Sequence, residues 1–100
     1  MDTSLEYIST ILPGRPDFLA MMTSEELSVM QQHLAYVQGL FDQGKLLLGG
    51  AATDGAIGVL VLRVGSPEEA QRIFDDDPAV RAGISHSELH PFRVRHLSGP

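Results

Sequence analysis

The stretch Phe74-Asp75-Asp76-Asp77-Pro78-Ala79-Val80-Arg81-Ala82-Gly83 decides how the second half of this chain folds. Just upstream, Ser66-Pro67-Glu68-Glu69 opens a helix. It offers a serine cap, a proline at the first helical position and a glutamate in capping-box spacing. Ala70, Ile73 and Phe74 supply the inner face of that helix. Asp77 precedes a proline, and the ring of a proline disfavours helical backbone in the residue before it. The helix therefore stops at or just before Asp77, a short turn follows, and Ser85 to His96 forms a last strand. Pro91 lies inside that strand. It cannot donate to a ladder, so the strand belongs at a sheet edge or bulges there.

Working back, Leu5 to Leu12 reads as a first strand: Tyr7, Ile8, Thr10, Ile11 and Leu12 are the β-branched, aromatic and apolar residues that pleated surfaces accept. Its poor alternation predicts cover on both faces. Pro13-Gly14-Arg15-Pro16-Asp17 interrupts regular structure. Thr23-Ser24-Glu25-Glu26 is a capping box with Met22 and Leu27 at the staple positions. Leu27, Met30, Leu34, Val37 and Phe41 then recur at spacings of three and four, the apolar stripe of one helix. Gly44 closes it as a left-handed cap, and Lys45 suits the negative end of the dipole. Lys45 to Ala51 is a second strand, Asp54-Gly55 a tight hairpin turn, and Ile57 to Val64 a third strand.

The order β-α-β-β-α-β is the split-βαβ, ferredoxin-like arrangement. The fold class is α+β: an antiparallel sheet with two helices on one face. Nothing remains in the chain to cover the other face, which predicts a homodimer packed sheet to sheet. At 100 residues, with no repeat, low-complexity run or linker, residues 1–100 read as one domain. So short a chain buries a modest fraction of its surface, and a second copy is the natural source of further burial.

Composition narrows the function classes. A net charge of −6 argues against a nucleic-acid partner, which needs a basic face. The absence of cysteine excludes disulfides, thiol nucleophiles and cysteine metal sites. No apolar run reaches membrane-spanning length, so no membrane partner is expected. Met1-Asp2-Thr3-Ser4-Leu5-Glu6 has neither a basic nor an apolar leader region, which leads to an expectation of a cytoplasmic protein.

Several marks in order resemble the YCII-related family of small dimeric α/β-barrel proteins. They are Arg15-Pro16-Asp17-Phe18 after the first strand, His33-Leu34 in the first helix, Gly44-Lys45-Leu46-Leu47 at its end, Ser66 with Glu68-Glu69-Ala70, and Asp77-Pro78 followed by Val80 and Ala82-Gly83. The resemblance spans about Leu5 to His96. It implies a ferredoxin-like protomer, a dimer with a barrel-like core, and an active site built on His33 and Asp77. A few members of that family are linked to cofactor-free chemistry on products of aromatic-ring degradation, and the resemblance extends that expectation to this chain. The end of the second strand departs from the family, which usually has Gly-Pro there; this chain has Gly49-Gly50-Ala51.

On the residues themselves, His33 lies on the flank of the first helix, about 70° from the centre of the apolar stripe at about 100° per residue. A histidine there suits a general base, because its free pKa of about 6.5 moves easily across neutrality. The plainer reading is a histidine filling the rim of the core. Asp77 is either the carboxylate that fixes the histidine tautomer, as in a Ser-His-Asp triad but without a nucleophile, or a turn cap before proline; the two roles are compatible. Arg15 is a candidate clamp for a substrate carboxylate or phenolate, Gly50 a candidate wall of the substrate pocket, and Ser85 a candidate hydroxyl donor. His86, Glu88 and His90 alternate along the last strand and share one face. Two histidines and a carboxylate suit zinc or non-haem iron, but the polar face of an edge strand is the plainer explanation, and no metal site is assigned. No phosphate-binding glycine motif is present. The expectation is a cofactor-independent enzyme that eliminates a leaving group or shifts a double bond in a small aromatic-derived or lactone-like molecule. The alternative is a dimer that binds a small molecule or a protein, with His33 and Asp77 purely structural.

Overall fold

The structure, a computed structural model, describes residues 4–99. Met1-Asp2-Thr3, which entered the reading of the N-terminus, and Pro100 lie outside the described residues. The elements are β1 (Leu5–Pro13), α1 (Ser24–Asp42), β2 (Leu46–Ala51), β3 (Gly58–Val64), α2 (Pro67–Asp76), α3 (Pro78–Ala82) and β4 (Ser85–Phe92). The four strands form an antiparallel sheet in the order β2-β3-β1-β4. This is the expected ferredoxin-like α+β arrangement, with a short third helix added between α2 and β4. No described helix is long and apolar enough to cross a membrane.

Alternation in β3 sets the layers. Leu60, Leu62 and Val64 point to the helices and join Leu40 of α1 and Ala70 and Ile73 of α2 in the core; Tyr7, Tyr36 and Leu89 pack against them. Val59, Val61 and Arg63 point the other way. By register they share that face with Ile8 and Thr10 of β1 and with His86, Glu88 and His90 of β4. Pro91 is accommodated because β4 is an edge strand that pairs only with β1.

The helix ends follow the sequence signals, with one variation. Thr23 and Glu26 form the reciprocal capping box. Beyond α1, Gly44 adopts φ 76°; its N–H bonds to Phe41 O while Lys45 N–H reaches Leu40 O, a Schellman closure. At α2, Ser66 Oγ accepts the Glu69 N–H, but the Glu69 carboxylate takes the N–H of Gly65 rather than that of Ser66 and also meets Lys45 Nζ.

Three sequence expectations are revised. The turn after Asp77 is a helix, α3: Asp77 caps it, Pro78 stands at its first position, and Gly83 ends it at φ 67°. The Asp54-Gly55 connection is longer than a tight hairpin turn. The Ala52 N–H bonds to Ile57 O across four loop residues, with Gly55 at φ 80°. The apolar stripe of α1 is not its buried face. Leu27, Leu34 and Phe41 are 46%, 64% and 60% exposed, whereas His33 and Leu40 are buried. The helix is rolled so that the flank carrying His33, Tyr36 and Leu40 rests on the sheet and on α2.

Candidate functional site

α1 brings His33 to the junction of α2 and α3. The backbone there is fixed by the Asp77-Pro78 step: α2 ends at Asp76, Pro78 begins α3, and Asp77 sits extended between them at φ −64°, ψ 124°. Asp77 Oδ1 accepts the Ala79 N–H at 2.9 Å and lies 2.7 Å from His33 Nδ1. The turn-capping and histidine-binding roles thus belong to the same oxygen. Both side chains are buried, at 9% and 3% exposure. With the aspartate ionised, Nδ1–H donates to it, and in the neutral ring the lone pair is then on Nε2. Among the described residues, Ser9 Oγ is the one buried side-chain N or O atom without a partner. Nε2 has no protein partner either, so it must be reached from open space. His33 is among the residues that line a cleft.

The cleft has a volume of about 680 Å³ and runs between the outer side of α1 and the β1, β2 and β3 strands. Met30, Leu34, Val37 and Phe41, the stripe that sequence periodicity marked as apolar, form one wall. Ile11, Leu46, Leu60, Phe18 and the glycines at the end of β2 form the others. Tyr36 holds the assembly from behind: its hydroxyl donates to Ile73 O at 2.8 Å, tying α1 to α2. Burial, and next the charges of Asp76 and Asp77, push the Tyr36 pKa up, so it stays a neutral donor.

The other sequence candidates divide. Ser85 lines the cleft, and its Oγ lies 3.3 Å from Ser87 Oγ. Gly50 lines it with backbone; it pairs with Val59, and a Cβ there would meet nothing within 4 Å. Arg15 is not among the lining residues. Its Nη1 and Nη2 bond to the Glu26 carboxylate at 2.6 and 2.9 Å, Nη2 also donates to Met21 O, and Nε donates to Asp17. The guanidinium stands over the Phe18 ring, 5.4 Å from its centre. Glu26 is held down to about 2, first by the Arg15 hydrogen bonds and then by the Thr23 N–H. Arg15 therefore fastens the β1–α1 loop to the helix cap. Capping-box spacing had given Glu26 a purely local role, so the signal for this pairing was a loop arginine facing a helix N-terminus.

On β4, Glu88 takes His86 Nε2 at 3.1 Å on one oxygen and His90 Nε2 at 2.8 Å on the other. All three are exposed. Among the described residues, no group of three or more His, Asp or Glu side chains is arranged to hold a metal.

The YCII-related domain model matches residues 8–93, from β1 to just past β4. Among solved structures, the chain resembles a 5-chloro-2-hydroxyhydroquinone dehydrochlorinase from Burkholderia phenoliruptrix, determined in complex with 2,5-dihydroxybenzoquinone. The TM-score is 0.63 at 20% identity, covering 87% of this chain and 93% of that one. At that identity the likeness is one of fold. No curated protein matches the chain.

Proposed function

From the premise that this chain belongs to the YCII-related domain family, we propose that it is a cofactor-independent enzyme in which His33, oriented by Asp77, acts as general base on a small aromatic-derived or lactone-like molecule held in the cleft. The observation that carries this reading is the buried contact of 2.7 Å between His33 Nδ1 and Asp77, made by a histidine that lines the cleft. That arrangement fixes the tautomer in which Nε2 can take a proton. A hydroxyl or acidified C–H of the substrate gives its proton to Nε2. The electron pair freed there forms a new double bond. A leaving group such as halide departs with its bonding electrons, or, in an isomerisation, the proton returns at another carbon. Asp77 stabilises the imidazolium while it exists. In this reading Ser85 and Gly50, which line the cleft, meet the substrate, and Arg15 serves by holding the loop that carries Phe18. The dehydrochlorinase of similar fold supports the choice of elimination as the first reaction to try.

The working unit in this reading is a cytoplasmic homodimer without a nucleic-acid or membrane partner. The sheet face turned away from the helices carries Ile8, Val59 and Val61, with Leu12 and Phe92 38% and 42% exposed at its margins. A second copy of that face is the surface that fits it. Phe92→Lys, at an exposed position of that face, should reduce the sedimenting mass to that of one chain; an unchanged mass with the fold retained removes this interface from the proposal.

The test of the chemistry is a panel of halogenated hydroquinones and activated lactones, followed by halide release and quinone absorbance. His33→Asn should keep the melting temperature within a few degrees. It should lower kcat by about 10²–10⁴, the range contributed by a positioned general base. Turnover that survives this change, or no acceleration by the wild-type protein, overturns the assignment.

A further inference from the structure

The cleft's chemistry names the kind of molecule it takes. We infer that the substrate is electrically neutral and extends beyond a single ring by an apolar substituent, and that carboxylates are excluded. This deepens the general-base reading and rests on it. Among the described residues, no lysine, arginine, aspartate or glutamate lines the cleft; its polar side chains are His33, Gln38 and Ser85. Gln38 is already engaged, donating to Asp42 at 2.9 Å. Nearby cations are answered elsewhere: Arg15 by Glu26, and Lys45 by Glu69. An ionised carboxylate brought into this space would lose water and gain no countercharge, which is strongly unfavourable.

The size of the space points the same way. About 680 Å³ falls within the range of roughly 300–1,000 Å³ typical of sites that enclose drug-sized ligands, and a single ring leaves most of it empty. The space away from His33 is walled by Met30, Leu34, Val37 and Phe41 on one side and Leu46 on the other. Leu34 and Phe41 remain 64% and 60% exposed in the chain alone, an apolar surface that a substituent would cover. The reacting oxygen end would then sit between His33 Nε2 and Ser85, with the substituent along α1.

Three probes of matched ring chemistry separate these possibilities: hydroquinone, 2-hexylhydroquinone and 2,5-dihydroxybenzoate, each titrated calorimetrically into the full chain at pH 7. The hexyl compound should bind at least tenfold more tightly than either of the others. Leu34→Lys, at an exposed wall position, should narrow or reverse the ratio between the hexyl compound and the benzoate. Benzoate binding as tight as that of the hexyl compound overturns the inference, as does the absence of binding by all three. Neither depends on turnover. Conversely, His33→Asn that keeps both the preference and full turnover sinks the catalytic reading and leaves the selectivity standing.

Discussion

His33 meets Asp77 at 2.7 Å, and His90 meets Glu88 at 2.8 Å, yet the two pairs are different objects. The first joins residues 44 positions apart, brought together by α1 and the α2–α3 junction, and both side chains are buried. Its carboxylate is also pinned by a backbone N–H. The second joins neighbours on one face of one strand, and its side chains are 59% and 49% exposed. Contact distance alone does not mark a site. Fixed geometry, exclusion of water and a place on the wall of a cavity separate the two pairs, and of the two only the first combines them.

The comparison breaks most sharply at Asp77. Asp77→Ala removes the α3 cap, worth about 0.5–2 kcal/mol, and leaves a buried imidazole N–H unpaired, worth about 1–3 kcal/mol. A fall in stability of about 2–4 kcal/mol by urea denaturation is expected from the two together. Asp77→Asn separates charge from geometry, since an asparagine oxygen still caps α3 and still accepts from Nδ1. It should stay near wild-type stability and lose most turnover. If Asp77→Asn retains turnover, the carboxylate charge has no part in the chemistry.

How much of this was legible in the chain depends on how local the signal was. The element order, both helix starts, the Schellman end of α1 and the edge placement of Pro91 follow from caps, turns and proline chemistry within a few residues. The α3 helix carried the same signals, an Asp cap, a proline and a closing glycine, compressed into seven residues and easily read as a turn. The roll of α1 was not legible. Its apolar stripe has the periodicity of a core face, but periodicity cannot distinguish a face buried by protein from one that walls a cleft. The weight of Tyr36, which reaches Ile73, and of Leu40 decides the roll, and both contacts are long-range. The partnership of Arg15 with Glu26 was hidden for a related reason: capping-box spacing already gave the glutamate a sufficient local role.

That ion pair is intermediate between the two histidine pairs and should give an intermediate effect. Glu26 titrates near 2 in the folded chain against an ordinary 4.5, first because Arg15 donates to it. A carboxylate with a depressed folded value stabilises the fold above about 4.5 and loses that contribution as pH falls towards 2. Glu26→Gln should therefore melt lower than wild type at pH 7, and the gap should close across that acid window. A gap that stays constant from pH 7 to pH 2 would show that packing, not the Arg15 charge, is what Glu26 supplies.

The smallest effect is expected on β4. Glu88 also titrates below its ordinary value, first through His90 and then through His86, so its contribution has the same sign and fades in acid. Here, however, the partners stand in solvent, where water and salt screen the attraction and holding three side chains together costs entropy. Glu88→Gln should leave the melting temperature at pH 7 unchanged within error, and added salt should abolish any residual difference. A clear loss of stability in dilute protein would mean that the strand face counts for more than its exposure allows. A loss that appears only at concentrations where the protein self-associates would instead locate these residues in the proposed sheet-to-sheet contact, because burial there removes the water that screens them in the single chain.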